Sequence, residues 1–241
     1  MVKILLILPV STKKWLGKTR KYLLNTLSPD TIVDVINLEC APESIETYYD
    51  SVLAAPLVVD AVIRAEKMGY NAVVIGCFED PGLHASRELV SIPVLGVGET
   101  SIIVSSILGR RIAIISTGQN SRAVYERKMM EMGLSEKLAY SSGIAVPVLR
   151  LNEEKLVSKL VIREARKAIQ EFNADVIVLG CVGMMGFHMK LKKVLKVPVI
   201  DPLLVTVRMA ELFSSLCLTH SKAWIYNIPR HKRGQGYGKA N

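Results

Sequence analysis

Asn71-Ala72-Val73-Val74-Ile75-Gly76-Cys77 and Asp175-Val176-Ile177-Val178-Leu179-Gly180-Cys181 are one pattern written twice, 104 positions apart. Each is a short aliphatic, β-branched run that closes on Gly-Cys. A strand that is apolar at every position is buried on both faces, and such strands belong to parallel sheets covered by helices. Two further landmarks keep nearly the same spacing. Ser91-Ile92-Pro93-Val94-Leu95-Gly96 recurs as Lys196-Val197-Pro198-Val199-Ile200-Asp201, and Ser11-Thr12 recurs as Ser116-Thr117, each 105 positions on. A near-constant offset marks an internal duplication, hence two half-structures with similar loop lengths.

Working outward, apolar runs alternate with helical patterns along the whole chain. The strands expected are Val2–Leu8, Thr31–Ile36, Ala72–Cys77, Ile92–Val97, Arg111–Ser116, Ile144–Leu149, Asp175–Cys181 and Val197–Asp201. The helices expected between them are Lys14–Leu27, Ser44–Met68, Pro81–Val90, Thr100–Leu108, Ser121–Met132, Glu153–Phe172, Met184–Leu195 and Leu203–Leu216. The fold class is α/β: two pseudo-symmetric lobes, each a parallel sheet of about four strands flanked by helices, with a site expected in the cleft between them. The first lobe is read as residues 1–98 plus about 203–228, the second as 99–202. Residues 229–241 are read as a basic, flexible tail.

Composition removes several classes of function. With 241 residues, 50% hydrophobic and 22% charged, the chain can bury a core without disulfides. Its four cysteines, Cys40, Cys77, Cys181 and Cys217, form no CxxC pair, which argues against a disulfide scaffold or a cysteine-based zinc module. No apolar run reaches membrane-span length, and the apolar start is too short for a signal peptide and is broken by Pro9. A cytoplasmic protein without a membrane partner is expected. The net charge of +9 gathers in the tail (Arg230, Lys232, Arg233, Lys239) and around Lys13, Lys14, Lys18, Arg20 and Lys21. No basic stripe is interleaved with aromatics, so a solvated surface is expected, with no specific nucleic-acid partner. A small-molecule substrate and a homo-oligomer are the expected partners.

In parallel α/β sheets, ligands bind beyond the carboxyl ends of the strands, where Cys77 and Cys181 stand in both halves. Asp80-Pro81 reads as an N-cap and first helical residue, and Gly183-Met184-Met185-Gly186 as a second helix opening. A helix N-terminus lowers the pKa of a nearby thiol. Two opposed thiols suit the inversion of a carbon acid: one removes the proton, the other returns one from the far face. Free N–H groups would stabilise the enolate. Cys40 and Cys217 share no repeat position and read as small buried hydrophobes.

The segments Gly76-Cys77-Phe78-Glu79-Asp80-Pro81-Gly82, Ser91–Glu99, Gly180-Cys181-Val182-Gly183-Met184 and Val197–Asp201 resemble the hydantoin racemases of the aspartate/glutamate racemase superfamily. The resemblance runs from the first strand to about Lys222, and Gly-Cys-Phe-x-Asp-Pro-Gly is its specific part. It implies a two-lobed, cofactor-independent racemase whose catalytic cysteines match Cys77 and Cys181. Its relatives act on 5-substituted hydantoins, allantoin or acidic amino acids. The chain departs from the pattern in three places. Leu8-Pro9-Val10 stands where hydantoin racemases read Asn-Pro-Asn, Glu79 replaces a glycine, and Ser116-Thr117-Gly118 stands for a Thr-Thr pair. Gly76, Phe78, Gly180 and Val182 are expected to shape the loops around the substrate. Ser11, Thr12, Ser116 and Thr117 are candidate substrate contacts.

Other signals are weaker. Gly96-Val97-Gly98-Glu99 half-matches a dinucleotide fingerprint but lacks its third glycine and its ribose-binding acid. His84 and His188 read as cleft-edge histidines, and no metal ligand is assigned. Asp201 either supports the cleft or caps the next helix. Two rivals share the scaffold: a cis–trans isomerase with a cysteine nucleophile, and a non-catalytic two-lobed sensor.

Overall fold

The computed structural model describes residues 1–228; the tail read at 229–241 lies outside them. The elements run β1 (Val2–Leu8), α1 (Leu16–Leu24), β2 (Thr31–Asn37), α2 (Tyr48–Lys67), β3 (Ala72–Ile75), α3 (Leu83–Leu89), β4 (Val94–Gly96) and α4 (Val97–Leu108). They continue with β5 (Ile112–Ser116), α5 (Ser121–Glu131), β6 (Leu138–Gly143), α6 (Glu154–Phe172), β7 (Val176–Leu179), α7 (Phe187–Leu195), β8 (Val199–Ile200) and α8 (Pro202–Ser215). Strands order as β2-β1-β3-β4 in one sheet and β6-β5-β7-β8 in the other, with every pair parallel. The two orders are the same, as a duplicated chain requires.

The chain divides into two compact units. Among the described residues, one is Met1–Val97 with residues 206–228; the other is Gly98–Val205. In the first, Leu5, Ile7, Val73 and Ile75 pack against Val58, Ala61 and Val62 of α2. α2 begins at a capping box: Thr47 accepts the Asp50 N–H, and the Asp50 carboxylate accepts the Thr47 N–H. In the second unit, all five residues of β5 and all four of β7 are buried. The continuous apolar runs are therefore the double-sided strands their composition implies. Among the described residues, no helix is long and apolar enough to cross a membrane.

Three local readings are corrected. The strand expected at Ile144–Leu149 lies instead at Leu138–Gly143. That strand is a sheet edge and only partly buried, so it carries polar residues and lacks an apolar run. Pro147 and the left-handed backbone of Ala145 (φ 54°) keep the more apolar stretch irregular. Asp80 does not cap a helix: it is itself left-handed (φ 54°), and α3 starts after Gly82. Cys40 and Cys217 are exposed rather than buried.

Candidate active site

Gly76 and Cys77 follow the last residue of β3. The Gly76 N–H donates to the Ile7 carbonyl at 2.8 Å. A Cβ on Gly76 would stand 2.9 Å from Leu8 Cδ2 and 3.1 Å from the Ile7 oxygen. A larger residue there would push the Leu8 side chain and crowd the end of β1. The chain then turns, with Asp80 N–H donating to the Cys77 carbonyl at 3.0 Å. The turn drives the Asp80 carboxylate against the end of β4, where a Cβ on Gly96 would meet Oδ1 at 2.3 Å. Gly96 is bare to admit that carboxylate. Phe78 is buried beneath the loop, while Cys77 and Glu79 are partly exposed.

The second unit repeats the arrangement with different chemistry. Gly180 N–H donates to the Ile115 carbonyl at 2.7 Å. A Cβ on Gly180 would fall 2.8 Å from Ser116 Cβ. The Ser116 hydroxyl donates to the Gly180 carbonyl at 2.9 Å, and the Tyr125 hydroxyl donates to Ser116 Oγ at 2.8 Å. Both side chains are buried. A hydroxyl network thus fixes the peptide that leads into Cys181, which remains partly exposed. After Cys181 a short 3₁₀ turn, Val182–Met184, precedes α7. Gly186, left-handed at φ 82°, opens that helix. Its N–H donates to Asp201 Oδ2 at 2.7 Å, while Asp201 Oδ1 accepts the Leu203 and Leu204 N–H groups at 3.1 and 3.2 Å. Asp201 is therefore the cap of α8, and the same carboxylate pins the end of the Cys181 loop. His188 Nδ1 stands 3.2 Å from Asp201 Oδ2, within ion-pair range but not aligned as a hydrogen bond.

The sequence profile of the Asp/Glu/hydantoin racemase family matches residues 4–210. The hydantoin racemase of Pseudomonas sp. (strain NS671) is 33% identical over 86% of this chain and 84% of its own length. That of Paenarthrobacter aurescens is 34% identical over 96% of this chain and 99% of its own. The chain belongs to the Asp/Glu/hydantoin racemase family.

It is thereby an isomerase of the racemase type. Its structure is also similar to the allantoin racemase from Klebsiella pneumoniae, with a TM-score of 0.91 at 28% identity over 99% of this chain and 98% of that one. The glutamate racemase from Francisella tularensis, at a TM-score of 0.62 and 17% identity over 91% of this chain and 84% of that one, shares the fold alone.

The duplication also corrects the register of one landmark. Ile7 pairs with Ile75, and Ile115 with Leu179. The residue that crowds Gly76 is Leu8, and the one that crowds Gly180 is Ser116. In this racemase fold Leu8 and Ser116 are the equivalent positions, so Ser11-Thr12 and Ser116-Thr117 are not. Ser11 lies beyond the strand, its N–H on the Pro42 carbonyl and its carbonyl accepting from Asn37 Nδ2. Thr12 Oγ1 accepts the Lys14 N–H at 3.4 Å. Ser11 and Thr12 are partly exposed; Thr117 is buried like Ser116. Tyr125 was not legible as a site residue, since one tyrosine on a largely polar helix gives no signal. His84 Nδ1 lies 3.1 Å from the Tyr226 hydroxyl. Among the described residues, no three His, Cys, Asp or Glu side chains cluster to hold a metal ion.

Proposed function

We propose that this racemase inverts C5 of a 5-substituted hydantoin, with Cys77 and Cys181 as its acid–base pair. One observation carries the reading: in each sheet the second central strand, β3 or β7, is followed at once by a Gly-Cys whose glycine N–H is fixed to the matching carbonyl of β1 or β5. The same chemical group thus stands at the same place in both units, at the strand ends where α/β proteins bind ligands.

The chemistry runs as a symmetric proton transfer. The C5–H of a hydantoin lies beside a carbonyl, so its removal gives a planar enolate with the charge on oxygen. A thiolate takes the proton, the other thiol delivers one to the far face, and the two exchange roles for the opposite enantiomer. Nothing is oxidised or reduced, and the chemistry calls for no cofactor. The substrate class draws support from hydantoin racemases at 33% and 34% identity, and from an allantoin racemase that matches over nearly its whole length. Allantoin is itself a hydantoin, with a ureido group at C5. The identity is higher to the hydantoin racemases than to that allantoin racemase, at 28%, which supports a 5-substituted hydantoin over allantoin.

Polarimetry tests the proposal with single-enantiomer 5-benzylhydantoin, allantoin, aspartate and glutamate, each against an enzyme-free control. Rotation of the benzylhydantoin decays to zero, faster than that of allantoin, and the amino acids hold theirs. No enzyme-dependent decay for either hydantoin overturns the reading.

A further inference from the structure

The two cysteine loops are one turn with different surroundings for the sulfur. Met184 N–H donates to the Cys181 carbonyl at 3.0 Å, just as Asp80 N–H donates to that of Cys77 at 3.0 Å. In each loop the residue after the cysteine is buried (Phe78, Val182), and so is the fourth (Asp80, Met184). The third position therefore points the same way in both. It is Glu79 in one loop and Gly183 in the other.

Gly183 shows where that position points. A Cβ built on it would lie 3.6 Å from Cys181 Sγ. It would also meet Leu151 Cδ1 at 2.5 Å, so in the second unit a fully buried leucine methyl takes that place. In the first unit a glutamate side chain starts from the matching position. Its carboxylate, two carbons beyond Cβ, stays within a few ångström of the Cys77 sulfur. Glu79 is partly exposed, and a glutamate in contact with water carries its charge at neutral pH. Asp80, next in the chain, is buried and turned to the end of β4. The carboxylate on the open side of the Cys77 loop is that of Glu79.

We propose that Glu79 is a specificity residue: its carboxylate guards the Cys77 side of the site against anions, so the hydantoins turned over carry neutral or cationic C5 substituents. The inference rests on the reading of Cys77 as one of the acid–base pair, because a thiol that reaches C5 brings Glu79 to the substituents of that carbon. Two like charges a few ångström apart in a half-solvated site cost on the order of tenfold in kcat/KM. An ammonium group in the same place gains instead. Glu79 moves no proton; it sorts what the thiol meets.

Two measurements on the full chain test it, one of them without substrate. Iodoacetamide and iodoacetate alkylate the same thiolate and differ in charge. The ratio of their rates at Cys77, taken relative to a free cysteine peptide, reads the local charge and cancels the fraction of thiolate. Peptide mass spectrometry follows Cys77 itself. The wild type favours the neutral reagent about tenfold, Glu79→Asp keeps most of that preference, and Glu79→Gln comes within about twofold of the peptide. For turnover, polarimetry compares 5-(2-carbamoylethyl)hydantoin with 5-(2-carboxyethyl)hydantoin, one shape without and with the charge. The wild type prefers the amide about tenfold in kcat/KM, and Glu79→Gln loses that preference. Circular dichroism matching the wild type shows that the variants fold; if Glu79→Gln does not, Glu79→Gly, which copies the other loop, takes its place. An alkylation ratio at Cys77 that the variant leaves unchanged overturns the proposal, as does an amide preference that survives in it. Charge-selective alkylation that depends on Glu79, with no hydantoin turned over, supports the guard at Cys77 and counts against the proposed reaction instead.

Discussion

At the scale of single residues, two glycines and two cysteines are placed by close packing rather than by local propensity. Gly76 and Gly180 exist because β1 and β5 pass within van der Waals reach of where a Cβ would stand. Each hands the chain directly to a partly exposed thiol. Serine nearly preserves the volume of cysteine, but its hydroxyl does not ionise near neutral pH. Cys77→Ser and Cys181→Ser therefore each lose about 10²-fold or more in kcat, measured by polarimetry, with unchanged melting temperature. Cys40→Ser and Cys217→Ser, at exposed positions, leave kcat within about twofold. If either of those stops turnover while the Cys77 or Cys181 variant remains active, the assignment fails. The Gly-Cys pairs were legible because sequence neighbours stay neighbours in space. The role of Ser116 was not. Its hydroxyl bonds Gly180 across 64 positions, and the register that matches it to Leu8 differs from the spacing of the Ser-Thr pairs.

At the scale of elements, the edge strand β6 shows where pattern reading stops. Buried strands announce themselves by continuous hydrophobicity, as in Val73-Val74-Ile75 and Val176–Leu179, and were located to within a residue or two. β6 has one fully covered residue in six, and polar contacts hold it instead. The Glu164 carboxylate of α6 accepts from the Tyr140 hydroxyl at 2.8 Å and the Ser142 hydroxyl at 3.0 Å, with Arg163 beside it. Burial alone would raise the pKa of Glu164, but those hydroxyls and the guanidinium together hold it below the usual carboxylate value. A folded-state pKa below the unfolded one stabilises the protein at pH above the ordinary glutamate value. That contribution fades as pH falls through the lowered one. Glu164→Gln therefore costs on the order of 1 kcal/mol at pH 7, read from urea unfolding. The gap between variant and wild type narrows as pH drops below about 4. A gap that stays constant down to pH 3 removes Glu164 as an ionised anchor of β6.

At the scale of the whole molecule, the duplication was the most legible feature, because a repeated fold repeats its buried strands. The two halves nevertheless diverge around the cysteines. Leu8 meets Gly76 where Ser116 meets Gly180. One carboxylate comes from the loop at Asp80 and reaches the strand end at Gly96, while the other comes from the strand end at Asp201 and reaches the loop at Gly186. The proposed mechanism takes one thiol from each half, and solvent deuterium tests this directly. A thiol that has abstracted a proton returns that proton to the same face, whereas the opposite thiol, equilibrated with D₂O, delivers deuterium. Early in the reaction the inverted product therefore carries deuterium at C5, and the recovered substrate carries almost none. A single base serving both faces would exchange its proton with solvent and label recovered substrate as quickly as product. Mass spectrometry of the separated enantiomers during the first tenth of turnover distinguishes the two. Each single-cysteine variant sharpens the contrast: the one that keeps the base for a given enantiomer still exchanges that enantiomer's C5–H with D₂O, yet inverts it slowly. Equal early labelling of substrate and product by the wild type would leave the fold and the family as they are and would take the second cysteine out of the mechanism.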